Sequence, residues 1–555
     1  MKKVLVILLA VVMIAGLAAC GNKDDGAASS PAPGASTAPT TSTAPAPAPA
    51  PANPTASGSG VLVPGEIIEA DESDDVKYAD SIDILTEMNI STVDPYSTGG
   101  TSSACRVTYQ MVYDRLTYFN TNTNEVVPEL ATSWETDDVQ TFIFHLRDDV
   151  VFHNGDKFTA EDVVYSHDVA MENPGSLAFD QWRAVTEMTI IDPYTIKIVI
   201  QAPDSSFAYN LALPGGAIIN KRAREADPVT GAWVGTGAFY VSGFDSDNYT
   251  ELTRNDNYWG ELPKTRVLNL RFIPEVASRA VMLLNGGTDV CLSVGPTDMP
   301  VFVDNPDFII YGYAANTTHS LTFSMINPIT SDLNFRLAVA HALNRQEIAL
   351  VSTGIWAKPT EDGSFWGDST PYRNTDIPLL EYDIEKAKDY LAKSVYNGEV
   401  MTLITGPDTL ALGGEMMVEQ MRVIGINVEQ LAMDVPSLVP VTMYGDPNMQ
   451  MLHFVGPFEL DPSSARVMLY PEMSANRASY NNPEVNELLD KVLGIADVKE
   501  VEAIYKQIQL LVSYDIPQLS LYERIWTIVT NPRVGGININ VDMNHDLRGI
   551  FMTEG

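Results

Sequence analysis

The chain has 555 residues, room for three or four units at roughly 150 residues per domain. It is 45% hydrophobic and 9% aromatic, so it can bury a large core and is not globally disordered. Its 34 Lys+Arg against 72 Asp+Glu give a net charge of −38, which argues against nucleic acid as a partner, because a polyanion is repelled and few counterions are released. Three cysteines exclude a disulfide-built scaffold and a four-cysteine zinc site.

Met1-Lys2-Lys3 supplies a positive start, and Val4 to Leu17 is apolar. That run is too short to span a ~30 Å hydrocarbon core comfortably and reads as an export signal. It ends in Leu17-Ala18-Ala19-Cys20-Gly21, which resembles a bacterial lipobox. The expectation is removal of a lipoprotein signal peptide, 1–19, and lipidation of Cys20. The protein is then exported and held on the outer face of the cytoplasmic membrane through acyl chains alone, two or three of which anchor stably. Residues 20–80 carry the lipidated cysteine and a disordered stalk: Ser29 to Gly60 has no charge and is mostly Pro, Ala, Ser and Thr, so it cannot offset its own conformational entropy. Ordered structure is expected to begin near Tyr78–Ile82.

From there strands alternate with helices. Ser81–Met88 reads as a strand, followed by a Ser/Thr/Gly-rich loop, Ser97–Ser103, and a helix through Val107–Leu116. Thr141–Leu146 and Thr195–Gln201 are strand-like, rich in β-branched and aromatic residues. Thr159 to Asp162 fits a capping box opening a helix from Glu161 to about Met171. Leu333, Leu337, Ala340 and Leu343 form a stripe that predicts one helix across Asp332–Val351. Asp383 caps a helix through Leu391, and Glu415–Ile424, Pro483–Ile495 and Lys499–Ser513 are amphipathic helices. The class is mixed α/β with more than one core.

No enzyme signature is present: no P-loop, G-x-G-x-x-G, H-E-x-x-H, C-x-x-C or G-x-S-x-G. The seven histidines never pair at i, i+4 within a predicted helix. No catalytic residue, metal site or cofactor is therefore assigned.

Pro128 to Val164 carries Leu130-Ala131, Trp134-Glu135, Phe144-x-Leu146-Arg147, Val150-x-Phe152-His153-x-Gly155 and Phe158-Thr159-Ala160-x-Asp162-Val163. In order there follow Gly235 to Phe239, Arg254-Asn255-x-x-Tyr258-Trp259-Gly260, Leu283 to Asp289 and Phe335-Arg336-x-Ala338. His341 to Arg345, Tyr382-Asp383-x-Glu385-Lys386-Ala387 and Tyr480 to Val485 complete the series. Over essentially all of 80–555 this resembles the bacterial extracellular solute-binding proteins of family 5, which bind oligopeptides, dipeptides or nickel. The resemblance implies an α/β, bilobal periplasmic-binding-protein-like fold of the large type II (cluster C) kind. Lobe I would be discontinuous, from 81–115, 235–318 and 518–555, with an inserted subdomain at 116–234; lobe II would be 319–517. It implies a monomeric substrate-binding lipoprotein of an ABC importer that captures peptide or another small solute by hinge closure and hands it to permease subunits.

By family position the ligand is lined by Ser97, Thr98, Thr101 and Ser102, by Phe365 and Trp366, and by His453, Phe454, Phe458, Glu459 and Asp461. Dipeptide-binding relatives carry W-x-x-D-x-x-D-P in the last of these loops. Here Asp461-Pro462 matches its end, but Phe458 stands at the amine-binding position and Val455 replaces the Trp. Glu459 substitutes only if the loop shifts. No arginine near Leu403–Leu412 matches the carboxylate-binding one. Longer peptides gripped along the backbone, or a non-peptide solute such as a nickel chelate, an oligosaccharide or an opine-like metabolite, gain weight accordingly; a peptide-sensing role fits the same scaffold. Cys105 and Cys291 form either a disulfide or two buried thiols.

Overall fold

The computed structural model describes residues 61–62 and 77–554, apart from 87, 101, 121–124, 247, 368–371, 408, 442–444, 456–463, 472, 474, 496 and 541–542. They lie within one compact unit, Asn53–Gly555. The predicted lipidation site Cys20 and most of the stalk fall outside the described residues. No described helix is long and apolar enough to cross a membrane.

Local signals place most elements. Thr159 accepts from Glu161 N while Asp162 accepts from Thr159 N, and this capping box opens the helix Ala160–Glu172. Strands Thr141–Leu146 and Thr195–Ile200 pair antiparallel in a four-stranded sheet with Ala131–Glu135 and Val185–Asp192. Asp383 caps Ile384–Leu391. The single helix expected across Asp332–Val351 is instead two, Leu333–Ala342 and Arg345–Thr353. Leu343 turns extended and the Asn344 side chain accepts from Glu347 N at 3.2 Å, starting a second helix where the apolar stripe alone would have continued the first.

The main sheet has twelve strands among the described residues. One run of neighbours is Asn427–Ala432, Val400–Thr405, Met451–Val455, Ile309–Phe323 and Gln518–Thr530. It continues through Val290–Cys291, Ser81–Thr86, Val267–Phe272, Tyr249–Arg254 and Phe239–Asp245. Along Ser81–Thr86 (β2, since Val61–Leu62 is β1) alternation sends Ile82 and Ile84 to one core and Leu85 to another on the opposite face. β1 adds a parallel pairing to the start of Ile309–Phe323, Val61 opposite Ile310 and Leu62 opposite Tyr311.

Two long antiparallel strands, Ile309–Phe323 and Gln518–Thr530, run between the halves of this bilobal fold. Their outer ends (Tyr311, Tyr313, Ile528) pack in a core with Ile82, Tyr113, Phe144 and Ile198. Their inner ends (Leu321, Phe323, Leu519, Leu521) pack in a second core with Phe335, Met401 and Met417. Between them the register shifts, once between Ala314 and Thr318 and again between His319 and Ser320. The four-stranded sheet contributes Phe142, Phe144, Ile196 and Ile198 to the first core, so segment 116–234 shares that core with the residues before and after it.

The family-like motifs converge on a buried polar frame in that first half. Arg115 Nε and Nη2 donate to Glu129 at 3.1 Å each. Arg548 reaches Glu129 at 3.3 Å and Asp546 at 2.6 Å. Asp114, fully buried, accepts from Trp259 Nε1 at 2.8 Å and Thr236 Oγ1 at 2.9 Å. Burial opposes the charge on Arg548, yet Asp546 and its other anionic neighbours outweigh it and hold the guanidinium well above its ordinary value. Gly235 and Gly237 serve by close approach to the end of the helix Ser103–Val112 (α1): a Cβ on Gly237 would meet Met111 O at 2.5 Å, and one on Gly235 would strike Val112 O. His153 completes the frame, accepting from Gly235 N at Nδ1 (3.2 Å) and donating from Nε2 to Gly237 O (3.0 Å).

Candidate functional site

The residues expected to line the ligand fall into three groups. Ser97 and Thr98 lie at the surface of the loop before α1, Ser97 half-buried and Thr98 exposed. Ser102 is committed to structure: its Oγ accepts from Cys105 N at 3.2 Å, capping α1, and donates to Asn89 O at 3.1 Å. Phe365 and Trp366 are buried edge to face, 4.6 Å between ring centroids, in a core with Met468, Tyr480 and Ile508. Phe454 is half-buried, with the Arg477 guanidinium 4.9 Å from its ring centroid. Thr101, Phe458, Glu459 and Asp461 lie outside the described residues.

His453 is packed inside rather than at a ligand-facing surface, at 0% exposure. Its Nδ1 lies 3.0 Å from Leu410 O; a carbonyl only accepts, so the proton sits on Nδ1. Burial pushes this imidazole down to about 4, and it is neutral at pH 7. His319, 6.3 Å away between ring centroids, has Nδ1 3.1 Å from Tyr522 Oη, and burial followed by the neighbouring His453 depresses it well below its ordinary value. Neither Nε2 has a hydrogen-bond partner among the described residues. Sequence reasoning gave no sign of this pair.

Cys105 and Cys291 are thiols in different cores and do not pair. Cys105 Sγ lies 3.7 Å from Ser91 Oγ, and Cys291 Sγ donates to Ser293 O at 3.3 Å.

A small open concavity, about 20 Å³, is lined by Thr86 at the end of β2, by Ser103, Ala104 and Val107 of α1, and by Leu292, Met543 and His545. It adjoins the crossover strands. His545 Nδ1 accepts from Asn540 N at 3.3 Å, so its proton is on Nε2, which faces Tyr313 Oη at 3.0 Å. Tyr313 is one residue before Ala314, where the register shifts. Burial holds His545 at about 3, so the wall is neutral there. Of the flagged loop only Ser103 reaches this concavity; Thr86, Leu292, Met543 and His545 come from distant stretches with no local motif. No group of three or more His, Cys, Asp or Glu side chains among the described residues is arranged to hold a metal ion. The concavity places apolar surface and small hydroxyls beside the junction of the two long strands.

Residues 125–475 match the family described as bacterial extracellular solute-binding proteins, family 5. The chain is 25% identical over 456 residues to the nickel-binding periplasmic protein of Escherichia coli, covering 77% of this chain and 86% of that one. It is 23% identical over 468 residues to heme-binding protein A of Haemophilus influenzae, covering 77% and 84%. It also superposes on the ABC transporter-associated periplasmic binding protein DppA of Helicobacter pylori in complex with the peptide STSA. That TM-score is 0.72 at 23% identity, over 86% of this chain and 99% of that one. The protein belongs to the family 5 extracellular solute-binding proteins.

Proposed function

We propose that the chain is the solute-capturing subunit of an ABC importer and that its cargo is an oligopeptide taken between the two halves. The observation that carries this is the pair of crossover strands: two cores joined by Ile309–Phe323 and Gln518–Thr530, with slipped register at the junction and the concavity beside it. A ligand favours a closed arrangement only by contacting both halves at once, and peptide main chain offers donors and acceptors along its length for that purpose. In this reading lobe I comprises 81–115, 235–318 and 518–555 with an insert at 116–234, and lobe II comprises 319–517. The Cys20 lipid anchor and the Pro/Ala-rich stalk keep the receptor at the membrane beside its permease, working as a monomer.

The peptide complex of the similar DppA supports this cargo. Phe458 at the amine-binding position supports a second reading, a non-peptide solute such as a metal chelate, and the nickel- and heme-binding relatives lend it weight. Mass spectrometry of protein gently isolated from its own cells, followed by thermal shift with peptide pools, separates them. A ligand at a hundredfold excess over Kd adds about 2.7 kcal/mol of stability. Co-purifying peptides and a raised Tm are expected; a retained metal complex with no peptide response would replace the first reading by the second.

A further inference from the structure

His319 and His453 meet where the crossover strands enter the second half. His319 lies at the second register shift of Ile309–Phe323, and the strand Met451–Val455 ends beside it: Val455 is opposite His319, Phe454 opposite Ser320 and His453 opposite Leu321. The two rings are 2% and 0% exposed, with centroids 6.3 Å apart. Tyr522 of the other crossover strand stacks on His319 at 4.6 Å. The helix Thr409–Val423 closes over His453, accepting from its Nδ1 at Leu410 O (3.0 Å). It does so at close quarters, because a Cβ on Gly413 would meet His453 Cε1 at 2.9 Å and Ser352 Oγ at 2.6 Å.

With its proton on Nδ1, His453 keeps its basic lone pair on Nε2, and neither that atom nor His319 Nε2 has a partner among the described residues. A proton added to either ring therefore leaves a buried, charged N–H with no acceptor there, a costly arrangement. The buried imidazoles His153 and His545 in the first half are built differently, with both nitrogens of each partnered. The groups facing His319 are His453 and, from Gln518–Thr530, Tyr522 and Arg524; the cation among them opposes protonation. Glu523, the next residue, lies against Gly367. Val400–Thr405, which runs parallel beside His453, has no titratable side chain. On the covering helices Glu347, Glu415, Glu419 and Arg422 are exposed, and Arg345 donates to Glu361 O. Burial keeps both rings neutral at pH 7, so the seated arrangement is fully favoured above about pH 6.5 and weakens as pH falls from there toward 4.

Building on the receptor reading, we propose that His319 and His453 form an acid-sensitive joint that controls cargo retention. While both rings are neutral, Met451–Val455 stays seated on the crossover strand, and Phe454, expected by family position to line the cargo, keeps its place opposite Ser320. A proton on either ring unseats that strand where the crossover enters the second half, and cargo held across both halves is released. The receptor thus holds its cargo in neutral surroundings and lets go in acid ones, with no titrating group required on the cargo itself.

Two measurements at pH 7.5 and 5.0 test this on wild type, His319→Asn and His453→Asn: hydrogen exchange of Met451–Val455, corrected for the intrinsic effect of pH, and calorimetry with a pool of tri- to pentapeptides. Asparagine preserves a polar group near the Nδ1 position and cannot take the proton. In wild type, protection of Met451–Val455 is expected to fall tenfold or more at the lower pH, further than that of Ser81–Thr86, and affinity for the pool to fall in step. In the variants both falls shrink to about threefold or less. No fall in wild type, equal falls in wild type and variants, or faster exchange without loss of affinity overturns the proposal. If the pool does not bind at pH 7.5, the peptide reading fails by itself and the exchange comparison alone decides the joint. Should the variants not fold, histidine titration of the wild type by NMR takes their place: imidazole midpoints that coincide with the exchange transition support the joint, and midpoints that do not overturn it.

Discussion

Around Arg115 the first half of the molecule closes over charged side chains, with Glu129, Asp114, Asp546 and Arg548 satisfying one another. Around His453 the second half closes over neutral ones: two imidazoles, Tyr522, and the ladder in which Gln518 Nε2 donates to Ser320 Oγ at 2.6 Å and Ser520 Oγ to Thr318 Oγ1 at 3.0 Å. Both sets are buried, but their dependencies differ. The charged frame needs every partner in place, because removing one leaves a lone charge in low dielectric. The neutral set needs its imidazoles uncharged, so the solution pH decides its fate.

The largest expected effect breaks the charged side. Glu129→Ala leaves Arg115 facing Arg548 and lowers stability by about 3–5 kcal/mol, measured as a shift in the denaturant midpoint. A change under about 1 kcal/mol would show that solvent reaches the frame.

Next comes acid. His153 and His453 are held at about 4 and His545 at about 3 by burial, against about 6.5 when unfolded. The unfolded chain binds protons first, so stability is level above pH 6.5 and falls as pH drops from there toward 4 and 3. His453 alone accounts for up to about 3 kcal/mol of that loss. Midpoints measured from pH 7.5 to 4 give the slope, and hydrogen exchange near pH 5 is expected to loosen Met451–Val455 early. A flat profile to pH 4 would contradict burial of these rings.

Smaller effects sharpen the contrast within the first half. Gly235→Ala drives a methyl into the backbone carbonyl of Val112 and is expected to cost about 1–3 kcal/mol, with the His153 bond to Gly235 N disturbed. Thr159→Ala removes one cap hydrogen bond and is expected to cost about 1 kcal/mol; thermal melts resolve both.

What the sequence made legible was local. Capping residues and alternating patterns located the helix Ala160–Glu172 and the strand Thr141–Leu146 because their determinants lie within a few residues of each other. The apolar stripe Leu333–Leu343 failed at Asn344 because periodicity does not register a side chain competing for backbone N–H groups. The frame around Arg115 assembles residues from 114 to 548, and a pairing at such separation leaves no local trace. The candidate site shows the same limit. The loop before α1 was flagged by family position, yet the concavity it adjoins also needs Thr86, Met543 and His545, which come from distant stretches of the chain.

β1 has a consequence for how many copies can crowd together. Beyond the inner half that meets Met451–Val455, the outer part of Ile309–Phe323 would present bare amides and carbonyls, a template on which another chain could add itself. Val61 and Leu62 occupy that margin in register with Ile310 and Tyr311. These two residues thus act as a selvedge, and protein trimmed back to residue 77 would lose it.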